Sequence, residues 1–295
     1  MTLHTFCPFV LIVALAGAEI QTAQAQSPEP EKTAAEKSPA EPAAAEKAGE
    51  PTAPSGEAGA VPAPAEAPAE AAKKEPAEVI PPALTEYMGR IIAPAMSYHG
   101  GASWLLRRLR EQEEKTSLLI PELRLKPGQT VCDLGCGNGY HVLMMAPLVA
   151  PGGTVIGVDI QQEMLDDLAK RAAQAGVMNV KTIQGAVHDP RLAADSCDLI
   201  LLVDVYHEFS HPEPMLAAMR KALKPDGVVA LVEFRGEDPD VPIKPEHKMT
   251  KAQIHKEWEA NGFVLDREFD GLPWQHLMFF QRDDAQRDAA PAEKK

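Results

Sequence analysis

The stretch Thr130–Pro147, TVCDLGCGNGYHVLMMAP, sets Gly135, Gly137 and Gly139 at alternate positions between a short apolar run and a segment of helical pattern. Lacking Cβ atoms, these glycines let the turn take positive φ and let a ligand lie against the backbone. A glycine turn that ends a strand and opens a helix is the context that marks a nucleoside site. Asp159 closes the next apolar run, TVIGVD, 20 residues beyond Gly139, where a carboxylate accepts hydrogen bonds from both ribose hydroxyls. The spacing D-L-G-C-G-N-G differs from the G-x-G-x-x-G of dinucleotide folds, which leave a helix N-terminus bare for pyrophosphate. With Asp133 just ahead of the loop, a polyanion is disfavoured and a ligand carrying an ammonium or sulfonium is favoured. The same spacing argues against a dehydrogenase.

Outward from this loop, short apolar runs alternate with amphipathic stretches. Strands are expected at 130–134, 154–159, 180–185, 197–204, 227–234, 263–270 and 275–281. Helices are expected at 140–149, 161–175 and 212–223, with a short irregular piece near 188–195. The near-continuous apolar runs at 199–203 and 228–232 imply strands buried on both faces, as in a parallel sheet between helix layers. The last two strands, separated by GLPW, form an antiparallel hairpin at one edge. The fold class is α/β: a doubly wound, mostly parallel, seven-stranded Rossmann-like sheet of five βα units with an antiparallel C-terminal hairpin and an N-terminal helical cap.

The N-terminal 83 residues are of another kind. Phe6–Ala18 is an apolar run too short for a membrane span of about 20 residues. With Ala23-Gln24-Ala25 it reads as a signal peptide over 1–25, cleaved before Gln26, although MTLHT carries no Lys or Arg. An uncleaved N-terminal membrane tether is the alternative. Residues 26–83 are almost wholly Pro, Ala, Glu and Lys, and bury too little apolar surface to offset an ordering cost of roughly 1–2 kcal/mol per residue. They read as a disordered, extended spacer. The remaining boundaries are a cap over 84–117, the α/β domain over 118–282 and a disordered tail over 283–295. Much of the net charge of −14 lies in the spacer, and no Lys/Arg stripe suggests a nucleic-acid partner. Cys132, Cys136 and Cys197 give no disulfide framework and are expected as buried thiols. The oligomeric state is not encoded legibly.

Over roughly 118–281 the sequence resembles the class I S-adenosylmethionine-dependent methyltransferases, most closely the broad type-11 small-molecule group. The resemblance rests on VCDLGCGNG, VIGVDIQQEML, CDLILLVDVYHEF and LKPDGVVALVEF. With EYMGRIIAPAMSYHGGASWLLRRLREQEE, HEFSHPEPML and GLPWQHLMFF, the chain is also similar to a group of exported bacterial methyltransferases, which implies a periplasmic or secreted enzyme. The resemblance implies S-adenosyl-L-methionine as cofactor. Asp133, Gly135 and Gly137, in one loop with Cys136, Asn138 and Gly139, match the positions that hold its methionine portion. Asp159 matches the ribose acid, Ile160 packs on the adenine, and Asp204 closes the fourth strand beside the cofactor. Many relatives place an Asp after the third strand for the adenine amino group. Here Gly185 and Ala186 stand there, so adenine rests on backbone groups or on Asp189. Tyr98-His99-Gly100-Gly101 is a stretch of the cap with glycines for a hinge over the cofactor.

Methyl transfer needs alignment of nucleophile, methyl carbon and sulfur, and sometimes removal of a proton. Asp204, Tyr206, His207 and Glu208 follow the fourth strand and are the catalytic set, with His207 in the pKa range of a general base. Against this stands a plain helix start, with Tyr206 and Phe209 packed and His207 solvated. Glu233, Arg235, His247, Lys248 and His276 reach the same rim and are read as surface or structural residues, with Arg235 paired to Glu233 or Glu237. Asp204, His207 and His211 have the spacing of metal ligands on a helical turn, but Pro212 delays the helix, so no metal is expected. The expected reaction is methyl transfer to a small-molecule or envelope acceptor. The alternative is a non-catalytic nucleoside- or metabolite-binding module of the cell envelope on the same fold.

Overall fold

The computed structural model describes residues 80–284. The expected signal peptide, most of the spacer and most of the tail lie outside the described residues. Among the described residues no helix is long and apolar enough to cross a membrane.

The region expected as a helical cap is part hairpin. β1 (Glu86–Tyr87) and β2 (Arg90–Ile91) pair antiparallel around Met88 and Gly89, both at positive φ, the geometry of a two-residue hairpin turn. Short helices α1 (Tyr98–Gly101), α2 (Arg110–Glu114) and α3 (Thr116–Glu122) follow.

The domain proper then alternates β3 (Thr130–Leu134), α4 (Tyr140–Val149), β4 (Thr154–Asp159), α5 (Gln162–Gln174), β5 (Val180–Gln184), β6 (Cys197–Val203), α6 (Pro212–Ala222) and β7 (Leu223–Phe234). It closes with α7 (Lys251–Ala260), β8 (Phe263–Phe269) and β9 (Gln275–Arg282). The sheet order is β5-β4-β3-β6-β7-β9-β8, parallel through β7, with β9 antiparallel to both β7 and β8. Two details depart from five regular βα units. The crossover from β5 to β6 carries no helix, and α7 follows β7 where none was expected.

Residues alternate across the sheet, so β6 sends Ile200 and Leu202 into one apolar layer and Leu199 and Leu201 into the other. The first layer includes Met215, Leu216 and Met219 of α6 and Trp258 of α7. The second includes Val142 and Met145 of α4 and Leu165 and Leu168 of α5. This two-sided burial is why β6 reads as an unbroken apolar run. Cys132, Cys136 and Cys197 are all buried free thiols. Chain order reverses between β3 and β6, and the carboxyl ends of the strands at that point open the crevice where ligands bind such sheets.

Candidate functional site

A cavity of about 1000 Å³, including its mouth, occupies that crevice. Its floor comes from strand ends and the turns beyond them: Leu134, Gly135 and Gly137 at β3, Val158–Gln161 at β4, Gly185–Val187 after β5, and Val203–Val205 with Glu208 at β6. Ala95, Met96, Trp104, Leu105 and Arg110 of the cap form its roof. The cap is pinned there. Gln161 donates to the Met96 carbonyl at 2.9 Å, the Tyr98 amide donates to Gln161 at 2.6 Å, and the Tyr98 hydroxyl donates to Asp167 at 2.8 Å.

The glycine loop is held by its own backbone. The Gly135 and Cys136 amides donate to the Val158 carbonyl at 2.8 and 3.0 Å, tying the turn to β4. Gly135 has φ +76°, and a Cβ there would run into the Val205 side chain. Asp159 accepts from the Gly137 amide on one oxygen and from the Gln161 amide on the other, both at 2.9 Å. Each carboxylate oxygen carries two lone pairs, so both keep accepting capacity toward the cavity. Burial pushes the Asp159 carboxyl up, opposed by these backbone donors.

Two carboxylates nearby lack full partners. Asp133 Oδ2 is buried without a hydrogen bond, and burial lifts its pKa to about 7, with Arg110 opposing and the Asp159 charge adding. Asp204 sits at φ +52°, in the left-handed region, and accepts from Gln275 Nε2 at 2.7 Å on Oδ2 while buried Oδ1 has no partner. Burial, then the charges of Glu114 and Glu233, drive its pKa well up. A glycine cradle, a ribose-type acid and an under-coordinated Asp204 in the wall, with Asp133 buried outside the lining, fit a nucleoside that carries an ammonium group.

The other loop residues act less directly. Cys136 packs into the apolar layer with α4 and α5. Asn138 donates to the Ala102 carbonyl at 2.7 Å and anchors the cap. Gly139 caps the start of α4, pressed against Leu168. Ile160 is exposed along the cavity wall, 41% accessible. Ala186 lines the cavity, but its amide is taken by the Asp189 carbonyl at 2.7 Å, and the Asp189 carboxylate accepts from the Arg191 amide. Asp189 is not among the residues that line the cavity.

The catalytic set divides. Asp204 and Glu208 line the cavity. Tyr206 turns away: its hydroxyl donates to buried Glu257 at 2.7 Å and its ring packs on Trp258 and Phe209. That corrects the catalytic reading of Tyr206. His207 is neither solvated nor a wall of the cavity. Only 2% accessible, it donates from Nδ1 to Glu233 Oε2 at 2.6 Å, and its Nε2 lies 3.0 Å from His247 Nδ1. Burial opposes charge on His207, and the charge and hydrogen bond of Glu233 outweigh it, so its pKa is raised. Burial, foremost, and the neighbouring His207 lower that of His247. Glu208 is lifted to about 7 by burial, against the pull of His207.

Asp204, His207 and His211 do not converge. His211 bonds the Pro81 carbonyl and Ser210 instead. The group that does converge is His207, Glu208 and His247, whose ligand atoms lie within 4.8 Å of one another. Arg235 forms neither expected ion pair, and donates to the carbonyls of Gln275, Asp270 and Leu272. His276 bonds Glu237 at 2.7 Å. The sequence reading passed over Arg110 and Gln275. Arg110 and Glu114 have i,i+4 spacing, but a solvated helix face shows the same signal.

Residues 125–281, more than half of the chain, match a family model described as a methyltransferase domain. The chain is 34% identical over 106 residues to nocamycin O-methyltransferase of Saccharothrix syringae, covering 36% of this chain and 38% of that protein. It is 32% identical over 114 residues to demethylmenaquinone methyltransferase of Lactobacillus johnsonii, covering 38% and 46%. The chain spans about a third to a half of the length of such curated relatives. The fold matches a crystal structure of a SAM-dependent methyltransferase from Aquifex aeolicus with TM-score 0.59 and 22% identity, over 63% of this chain and 98% of that one.

Proposed function

The chain belongs to the class I S-adenosylmethionine-dependent methyltransferases, and we propose from that premise that it carries a methyl group from S-adenosylmethionine to a small-molecule or envelope acceptor bound over Asp204 and Glu208. The observation that supports this most directly is the grouping of Gly135, Gly137, Asp159 and Asp204 in one cavity wall. S-Adenosylmethionine, when bound, supplies a methyl group activated by its sulfonium. Gly135 and Gly137 admit its amino-acid portion to the backbone, and Asp204 in the cavity wall complements its ammonium. Asp159 receives the ribose hydroxyls while retaining its bonds to Gly137 and Gln161. Ile160 covers the adenine, and Met96, Trp104 and Leu105 keep water from the reacting end. Alignment is then the main contribution to rate. The same proposal puts the enzyme outside the cytoplasm, from Phe6–Ala18 and Ala23-Gln24-Ala25, with a mature N-terminus at Gln26 as the expected product of processing.

Titration calorimetry of the chain with S-adenosylmethionine, its demethylated product and NAD tests the assignment. Micromolar binding of the first two and none of NAD is the expected result. Failure of both nucleosides to bind would overturn it.

A further inference from the structure

We propose that His207, Glu208 and His247 form a site for one divalent first-row transition cation at the acceptor end of the cavity. Two turns distant in sequence meet there, Tyr206–Glu208 after β6 and Pro245–His247 after β7. His207 Nε2, His247 Nδ1 and a Glu208 oxygen lie within 4.8 Å of one another. Two imidazole nitrogens that are 3.0 Å apart, each about 2.0–2.1 Å from one ion, subtend an angle of about 94° there, close to the cis angle of an octahedral site.

The supporting shell is also present. Glu233, fully buried, accepts from His207 Nδ1 at 2.6 Å. That bond fixes the tautomer whose Nε2 lone pair points at the cation, the role carboxylates play behind metal-binding imidazoles. Glu208 and Glu233 bring two carboxyl groups to the site, whose charge a divalent cation offsets. Two imidazoles and a carboxylate suit zinc, cobalt, manganese or iron(II), whereas magnesium and calcium take oxygen sets. Glu208 also lines the cavity, which sets the site at its edge. On the methyl-transfer reading, on which this role alone rests, the acceptor class narrows to molecules whose oxygen or nitrogen ligates such a cation.

The test uses the full chain stripped with a chelator. Cobalt(II) is titrated with visible absorption as the readout, and zinc by calorimetry, both without S-adenosylmethionine. One ion per chain is expected, with ligand-field bands for cobalt. His247→Ala, at a half-buried position, and Glu208→Gln should each weaken cobalt binding at least tenfold while the ligand-free melting temperature holds. No stoichiometric uptake, or uptake unchanged in both variants, overturns the site and leaves a hydrogen bond between two histidines. S-Adenosylmethionine binding to the chelated chain is measured in parallel. Its loss alone leaves the cation site standing, and its persistence without cation uptake removes only the site.

Discussion

The glycine end of the cavity and the histidine end of the site, a cluster that meets the cavity only through Glu208, hold polar groups away from water by different means. At the glycine end the donors are backbone amides: Gly137 and Gln161 fix Asp159, and the Val158 carbonyl fixes the loop. Its acids are only partly offset from within: Arg110 opposes the effect of burial on both, and Asp133 and Asp204 each keep a buried oxygen without a hydrogen-bond partner. At the histidine end side chains bond to side chains, His207 to Glu233 and His207 to His247. A receptor made of backbone has fixed geometry and receives its compensating charge from the ligand. A cluster of side chains can exchange a proton or a metal without moving the sheet.

The largest expected effect at the glycine end is a pH dependence of stability carried by Asp133. The Asp133 carboxyl is raised from its ordinary value to about 7, chiefly by burial. Below pH 4 the folded and unfolded chains are both protonated there, and Asp133 contributes nothing. As pH rises toward 7 the unfolded chain loses this proton first, so stability falls and then levels off. Asp133→Asn removes the titration. Relative to wild type it should gain stability between about pH 4 and 7, reaching about 3–4 kcal/mol at 1.36 kcal/mol per unit. Urea unfolding of both proteins across that range measures the gap. A difference that stays flat with pH would break the contrast, because Asp133 would already be neutralised inside the fold.

This contrast also explains how much could be read from the sequence. β3, the glycine loop, β4 and Asp159 lie within 30 residues and are fixed by local geometry, so their spacing announces them. The histidine end joins His207, Glu233 and His247 only because β6 pairs with β7 in the register Val203↔Val232, which sets the following residues side by side. No local pattern encodes that register, and Glu233 at the end of an apolar strand reads as a rim residue. α7 escaped notice for a related reason. Its inward face carries Glu257 beside Ile254 and Trp258, and this buried acid breaks the apolar stripe while serving Arg90, Tyr206 and Gln253. Tyr206 misled because its hydroxyl answers Glu257, a residue 51 positions away.

The two ends should also separate functionally. His207→Gln is expected to lower turnover about a hundredfold, within the range for loss of acid–base or metal-orienting groups, with S-adenosylmethionine affinity within about twofold of wild type. Asp159→Ala should do the reverse. Losing hydrogen bonds to a charged acceptor, each worth roughly 1.5–3 kcal/mol, weakens cofactor binding at least tenfold while turnover at saturating cofactor changes little. Calorimetry for affinity and product formation for turnover separate the two effects. Unchanged turnover in His207→Gln would reduce its pair with Glu233 to core packing, and retained affinity in Asp159→Ala would remove the ribose assignment.

The smallest effect sharpens the account of the glycine end itself. Ala186 stands in the wall with its amide already bonded to the Asp189 carbonyl, so on the proposed binding mode the adenine meets an apolar side chain where an acid would read its amino group. Ile160, 41% accessible along that wall, would supply apolar cover on the same proposal. Ile160→Ala removes about 30–40 Å² of apolar contact, which at about 25 cal/mol/Å² corresponds to a three- to fivefold loss of affinity. The loss should be the same for S-adenosylmethionine and its demethylated product, because Ile160 stands at the adenine and not at the sulfur. A loss greater for one than the other would mean that Ile160 reaches the reacting centre, and the division of the cavity into two ends would need redrawing at that residue.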